Sequence, residues 1–197
     1  MLQEAGRSNN SETALIALGA NIGPHGAGPQ GLAQTLRAAA ARLEHVFGEI
    51  TLSRLYRTPC FPAGAGPDFV NAACAVQTNL QPEAVLAQLH EIEAEFGRER
   101  TVRWGQRTLD LDLIACGDRI LPDAATFRHW RDLPLNEQAQ QAPDRLILPH
   151  PRLQDRAFVL VPLTDIAAAW VHPDSGLTVA QMRDALPPAD RTEVVAL

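Results

Sequence analysis

Lysine is absent from this 197-residue chain, whose seventeen basic residues are all arginine. A Walker A loop, a Schiff-base lysine and a kinase-type strand lysine are therefore excluded together, and any phosphate chemistry has to run on arginine, histidine, backbone and metal. Net positive charge is lacking too, since the formal charge at pH 7 is −6. Nucleic-acid binders rest on a basic surface, so no nucleic-acid partner is expected. Cysteine is scarce: Cys60, Cys74 and Cys116 stand in no CxxC or zinc spacing, which suits a reduced, cytoplasmic setting better than a secreted one. No apolar run approaches the length of a membrane span, and the opening MLQEAGRSNNSE has neither the basic nor the apolar region of a signal peptide. Residues 1–12 are expected to form a disordered lead.

What is present suffices for one core. A composition of 46% hydrophobic and 20% charged residues predicts a single soluble domain over residues 13–197. The apolar run Ala14–Leu18 predicts a strand ending at Gly19-Ala20-Asn21-Ile22-Gly23, where glycine and asparagine permit a tight turn against a backbone or ligand. Leu32, Leu36, Ala40, Leu43 and Phe47 keep helical spacing, giving a helix from about Gln30 to Phe47 that Gly48 ends. Ile50–Tyr56 and Phe69–Gln77 read as strands. The connection RTPCFPAGAGPD between them is too long for a minimal hairpin and is a candidate binding loop. Pro82 in a first turn, followed by Val85, Leu89, Ile92 and Phe96 on one face, predicts a second helix closed by Gly97.

Chemistry is concentrated between Arg98 and Cys116, in RERTVRWGQRTLDLDLIAC. Thr108–Ala115 alternates polar and apolar residues as a half-buried strand does. Asp110 and Asp112 then share one face, about 7 Å apart along the backbone, and the intervening leucines take the other. Paired hard oxygen ligands suit Mg²⁺, and the upstream Arg98, Arg100, Arg103 and Arg107 match phosphate oxygens in charge and geometry. The pattern is that of a polyphosphate site. An ordinary surface strand whose aspartates pair with those arginines explains the same residues.

Strand, helix, strand, strand, helix, strand is the order of a ferredoxin-like α+β core, βαββαβ, with helices on one face of an antiparallel sheet and the other face left for a ligand or further elements. Residues 122–144 read as an inserted, elaborated loop in which His129 and Trp130 form a local packing anchor. Apolar segments at Leu146–Leu148 and Phe158–Val161 and a helix near Thr178–Leu186 complete the chain.

In order along the chain, LGANIG, LYRTPCF, DFVNAACAVQT, EIEAEFGRER, RWGQRTLDLDLI and LILPHPRLQDRAFVLVPL closely resemble the 6-hydroxymethyl-7,8-dihydropterin pyrophosphokinase family of folate biosynthesis. The likeness runs from about Ala14 to Val171, and RWGxRTLDLD followed by LPHPR and RxF is highly specific. It implies a monofunctional enzyme that transfers pyrophosphate from ATP to the pterin's hydroxymethyl group and releases AMP, using two Mg²⁺ ions. By the resemblance, Asp110 and Asp112 are metal ligands. Arg98, Arg107, Arg145, His150 and Arg156 hold or close over the triphosphate, and Arg98 and Arg107 count with the two aspartates as catalytic. Asn71 reads the pterin, Phe69 and Phe158 sandwich it, and Thr58 and Phe61 fall where backbone groups meet its polar edge. Phe69 stands where some relatives carry tyrosine, and Pro151 where an aromatic can occur. A flat heteroaromatic with an amide edge asks for such faces and a few aimed hydrogen bonds. ATP and the dihydropterin are thus the expected ligands of a monomer with no membrane partner.

Taken singly, each residue has another reading. Phe69 and Phe158 fit a plain core, Asn71 a turn and His150 a satisfied loop histidine, while Glu93, which matches a family carboxylate, equally fits the solvated face it shares with Glu91 and Glu95. Two other functions fit the chemistry: a non-catalytic nucleotide- or pterin-binding module, and a Mg²⁺-dependent nucleotidyltransferase or nuclease. AMP appearing with pterin diphosphate selects the kinase, whereas pyrophosphate release selects the nucleotidyltransferase.

Overall fold

The computed structural model describes residues 11–22, 28–60, 66–97, 108–134, 137 and 140–197. Strand β1, Glu12–Ala20, lies inside the sheet, between β4 (Phe69–Thr78) and β5 (Asp110–Cys116), both antiparallel to it. The far side of β4 takes β2 (Ile50–Leu52) and β3 (Tyr56–Thr58), and the short β6 (Val195–Ala196) lies outside β3. Side chains on a strand alternate between faces. Ala14, Ile16 and Leu18 of β1 enter one apolar cluster, and Leu15 and Ala17 enter another.

The first cluster is closed by helices α1 (Pro29–Phe47) and α2 (Pro82–Glu95). Each begins with a proline in its first turn, where a missing N–H costs nothing. Leu32, Leu36 and Leu43 of α1 are buried, each contributing about 1.5–3 kcal/mol. Gly48 stops the helix at φ 87°, a conformation that L side chains avoid. The βαββαβ core is the expected ferredoxin-like α+β arrangement. The second cluster is closed by further elements: a single 3-10 turn, Leu153–Asp155, helix α4 (Ala157–Ala167) and helix α5 (Val179–Ala185). The apolar segment Phe158–Val161 therefore lies within a helix. Helix α6, Pro188–Thr192, follows.

Local competition for hydrogen bonds explains where the sequence-based boundaries shift. Strand β1 begins at Glu12, inside the stretch expected to be a disordered lead; residues 1–10 lie outside the described residues. Glu12 pairs with Thr78 and its carboxylate takes the Arg119 guanidinium at 2.7 Å. Gly19 belongs to that strand and not to a turn. The single strand expected over Ile50–Tyr56 is two, because the Ser53 hydroxyl accepts the Ala73 N–H at 2.9 Å while the Ser53 N–H donates to the Ala73 carbonyl. A side chain has entered the ladder there, as at a bulge.

The expected insertion contains a helix, α3 (Ala124–Asp132), that no apolar periodicity announces. Asp123 caps it, its carboxylate accepting the N–H groups of Ala125 and Thr126. Its anchor is Phe127, with no exposed surface, and not the His129–Trp130 pair, whose histidine is exposed. Arg128 and Arg131 both reach the nearly buried carboxylate of Asp174. At the insertion's base, Leu121 and Leu148 exchange backbone hydrogen bonds at 2.9 and 3.2 Å. Those bonds hold the two ends together without the insertion. Replacing Asp123–Pro143 with a short turn is therefore expected to lower the unfolding temperature but to leave kcat at saturating ATP within about tenfold, roughly 1.4 kcal/mol of barrier. A folded replacement variant that binds both substrates without turning over would contradict this.

Candidate active site

One row of residues crosses the sheet at the end of β1: Tyr56 pairs with Asn71, Asn71 with Gly19, and Gly19 with Asp110. Two residues along, and so on the same face, Asp112 pairs with Ala17, and Ala17 with Ala73. Ala17 and Ala73 belong to the cluster under α4, so the polar residues of the Gly19 row, two positions away, face that side as well. The helices α4 and α5 cover only part of this face, and the site occupies the rest.

Gly19 separates the two halves of the row. A Cβ there would stand 3.0 Å from Asn71 Oδ1 and 4.0 Å from Asp110 Cβ, so any side chain would push the amide out of place. Asn71 is 5% exposed and donates from Nδ2 to Thr58 Oγ1 at 2.7 Å. That bond fixes the amide's orientation, turning Oδ1 towards Gly19 as an aimed acceptor. Thr58 thus acts here through its side chain, where only its backbone groups were expected to matter. Phe69 lies two residues before Asn71 on β4, on the same face and half-buried.

Asp110 and Asp112 are both half-exposed on the far side of Gly19. Arg156 Nη1 stands 3.5 Å from Asp112 Oδ2, a long and partly solvated contact of little stabilising value. The Arg156 guanidinium also lies 5.6 Å from the centre of the Phe158 ring, within cation–π range. Phe158 is 40% exposed, so it is not a core residue. Its place depends on α4, which is pinned at the other end: Asp165 accepts the Tyr56 hydroxyl at 2.8 Å, the Arg54 N–H at 3.1 Å and the Arg54 guanidinium at 2.7 Å.

His150 joins the same neighbourhood through its backbone N–H, which donates to Ile114 of β5 at 2.7 Å. Its Nδ1 accepts the Arg152 N–H at 3.1 Å, so the neutral ring carries its proton on Nε2. The residue keeps some surface, yet burial, followed by the cations Arg156 and Arg152, pushes its pKa down to about 3. The sign follows from linkage. The unfolded ring binds a proton near pH 6.5 and the folded ring does not, so this contribution to stability is present above pH 6.5 and is lost as pH falls towards 3. Between pH 6.5 and 4.5 the urea midpoint is expected to fall further in the wild type than in His150→Gln. Equal slopes would show that the imidazole titrates normally.

Among the sequence-based candidates, Thr58, Phe69, Asn71, Asp110, Asp112, His150, Arg156 and Phe158 gather around this face. Arg145 does not visibly join them: it is exposed and its guanidinium is held by Asp144 at 3.1 Å. Phe61, Arg98 and Arg107 lie outside the described residues. The place of Gly19 shows only in the strand register, and the Tyr56–Asp165 tie only in the packing of α4 beside β3, while Glu93 is buried where a solvated helix face was an equal reading.

Two hard carboxylates on one strand face fit Mg²⁺, which typically takes one or two carboxylates and fills its shell with phosphate and water. Among the described residues no cluster of three or more histidine, cysteine or acidic side chains forms a closed metal cage. Two carboxylates alone leave most of such an ion's shell open to phosphate and water.

The model of the 7,8-dihydro-6-hydroxymethylpterin-pyrophosphokinase (HPPK) family matches residues 15–168. A 2-amino-4-hydroxy-6-hydroxymethyldihydropteridine pyrophosphokinase from Synechocystis is 40% identical over 171 residues, covering 86% of this chain and 73% of that one. Its counterpart from Pseudomonas aeruginosa is 38% identical over 163 residues, covering 83% and 85%. The wild-type HPPK-DHPS crystal structure from Plasmodium falciparum superposes with a TM-score of 0.61 at 15% identity, over 91% of this chain and 45% of that one. That likeness is one of fold, and this chain spans less than half of the solved one.

Proposed function

The chain belongs to the 7,8-dihydro-6-hydroxymethylpterin-pyrophosphokinase family, and on that premise we propose how its residues divide the reaction. It transfers pyrophosphate from ATP to the hydroxymethyl group of 6-hydroxymethyl-7,8-dihydropterin, giving the pterin diphosphate and AMP in folate biosynthesis. Because AMP leaves, the pterin's hydroxymethyl oxygen forms its new bond at the β-phosphorus, and the bond from that phosphorus to the oxygen bridging the α-phosphate breaks. Such a transfer asks the protein mainly to align two substrates and to stabilise charge spread over phosphate oxygens.

The pterin lies on the Asn71 side of Gly19, and the triphosphate on the aspartate side. Supporting this is the single row Tyr56, Asn71, Gly19, Asp110, whose aimed amide, held by Thr58, and half-exposed carboxylate flank a position with no side chain. Asn71 Oδ1 accepts from the pterin's amide edge. Phe158 and Phe69 supply its stacking faces, and Phe61 and Thr58 supply backbone groups. Arg156 lies between the halves and exchanges its long contact with Asp112 for a phosphate oxygen. His150 donates from Nε2 to the triphosphate, and Arg145, Arg98 and Arg107 are the further cations directed at it.

Asp110 and Asp112 would hold the metal, two Mg²⁺ ions in this reading. Bound there, Mg²⁺ would neutralise phosphate charge and make the attacking hydroxyl more acidic. The enzyme is a single domain over residues 12–197, with 122–144 inserted, and acts as a cytoplasmic monomer on ATP and the dihydropterin. Its three free cysteines support a reducing setting. Its sheet edges support the monomer: β6 lies along β3, and on β5 the Leu111 N–H and the Ile114 carbonyl are taken by Glu93 and His150.

Product analysis tests the reading. ATP and dihydropterin with Mg²⁺ are expected to give AMP and pterin diphosphate in equal amounts by phosphorus NMR. Free pyrophosphate formed in step with a nucleotidyl adduct would overturn it.

A further inference from the structure

Glu93 is 1% exposed, while its helical neighbours Glu91 and Glu95 face solvent. An ionised carboxylate costs several kcal/mol to bury unless its surroundings compensate. Part of that compensation is a backbone amide: Glu93 Oε1 accepts the Leu111 N–H at 2.8 Å. Leu111 is the residue between Asp110 and Asp112, and its side chain enters the α1/α2 cluster on the opposite face. Because β5 is the last strand on its side of the sheet among the described residues, this amide has no described neighbouring strand to bond to. The carboxylate stands where that strand's carbonyl would be.

We propose that Glu93 is a positioning residue for the reaction: by holding the Leu111 amide from α2, it sets the spacing and direction of the Asp110 and Asp112 carboxylates. The peptide it grips is that between Asp110 and Leu111, with Asp112 one residue further on. A small rotation of that peptide would swing both side chains, which leave the strand on the face away from Glu93. Partners of this kind behind metal-binding residues typically change metal affinity by about 10- to 100-fold when removed. The inference rests on the reading of Asp110 and Asp112 as the metal pair.

The test uses the whole chain, with Glu93→Gln, Glu93→Asp and Glu93→Ala compared against Asp110→Asn. Glutamine keeps an acceptor at the same reach. Aspartate keeps the charge but is one methylene too short, so it remains informative if the alanine variant does not fold. Two quantities are read: hydrogen exchange at the Leu111 amide in the free protein, and the Mg²⁺ midpoint for binding a non-hydrolysable ATP analogue. Glu93→Asp and Glu93→Ala are expected to speed Leu111 exchange and raise the Mg²⁺ midpoint by about tenfold or more, with pterin affinity unchanged. Glu93→Gln should stay near wild type in both. Faster exchange with an unchanged midpoint would reduce Glu93 to a structural residue and overturn the proposal, as would a raised midpoint in Glu93→Gln with Leu111 still protected. An Asp110→Asn variant with a wild-type midpoint would instead sink the metal-pair reading on which the proposal stands.

Discussion

Asp110→Asn and Asp112→Asn are each expected to lower kcat by about 10³-fold or more while leaving the fold intact. Each exchange removes one charge and keeps the side-chain volume, on a strand face that is half-exposed. The strand is held independently of these carboxylates. Its register to β1 comes from backbone pairs, its apolar side is buried by Leu111 and Leu113, and its free amide is taken by Glu93. Loss of stability should therefore be small. A metal's electrostatic help to a transferring phosphoryl group amounts to several kcal/mol, and about 4 kcal/mol corresponds to roughly a thousandfold in rate. Turnover and urea unfolding measured on the same preparations separate the two effects. Near-wild-type turnover in both variants at saturating Mg²⁺ would exclude the carboxylates from the metal site.

Phe158→Ala is expected to weaken pterin binding by about 1–3 kcal/mol, roughly 5- to 150-fold, as loss of a stacked ring does. At 40% exposure the ring contributes little to the core, so its removal leaves the α4 packing of Val159, Leu160 and Leu163 in place. The ring's neighbour is the Arg156 guanidinium, which keeps its contact with Asp112 when Phe158 is truncated. ATP-analogue affinity, measured without pterin, should barely move. Titration calorimetry with each ligand in turn gives both numbers. A larger loss on the nucleotide side would place Phe158 with the triphosphate.

Where one periodicity carried the information, the sequence was a sufficient guide. The apolar stripe of α1, its stop at Gly48, and the alternation that places Asp110 and Asp112 on one face all follow from spacing within a single element. Features that depend on two elements meeting were hidden. Glu93 is one of three acidic residues in five positions of α2, and only the packing of α2 on β5 buries it against Leu111. Gly19 looked like a turn glycine because its row partners, Asn71 and Asp110, are 52 and 91 residues distant in sequence. Helix α3 escaped because it is short and mostly polar, held by one buried ring and by two arginines on Asp174. In each case the decisive contact is long-range, and nothing in the local pattern encodes it.

The division of the site about Gly19 is tested most directly by diffraction from the protein crystallised with the dihydropterin, a non-hydrolysable ATP analogue and Mn²⁺ in place of Mg²⁺. The expected anomalous map shows manganese at about 2.1 Å from carboxylate oxygens of both Asp110 and Asp112, with phosphate oxygens completing the shell. The pterin ring should lie against Phe158, with its amide edge at Asn71. Manganese bound away from the two aspartates, or the pterin on their side of Gly19, would contradict the assignment.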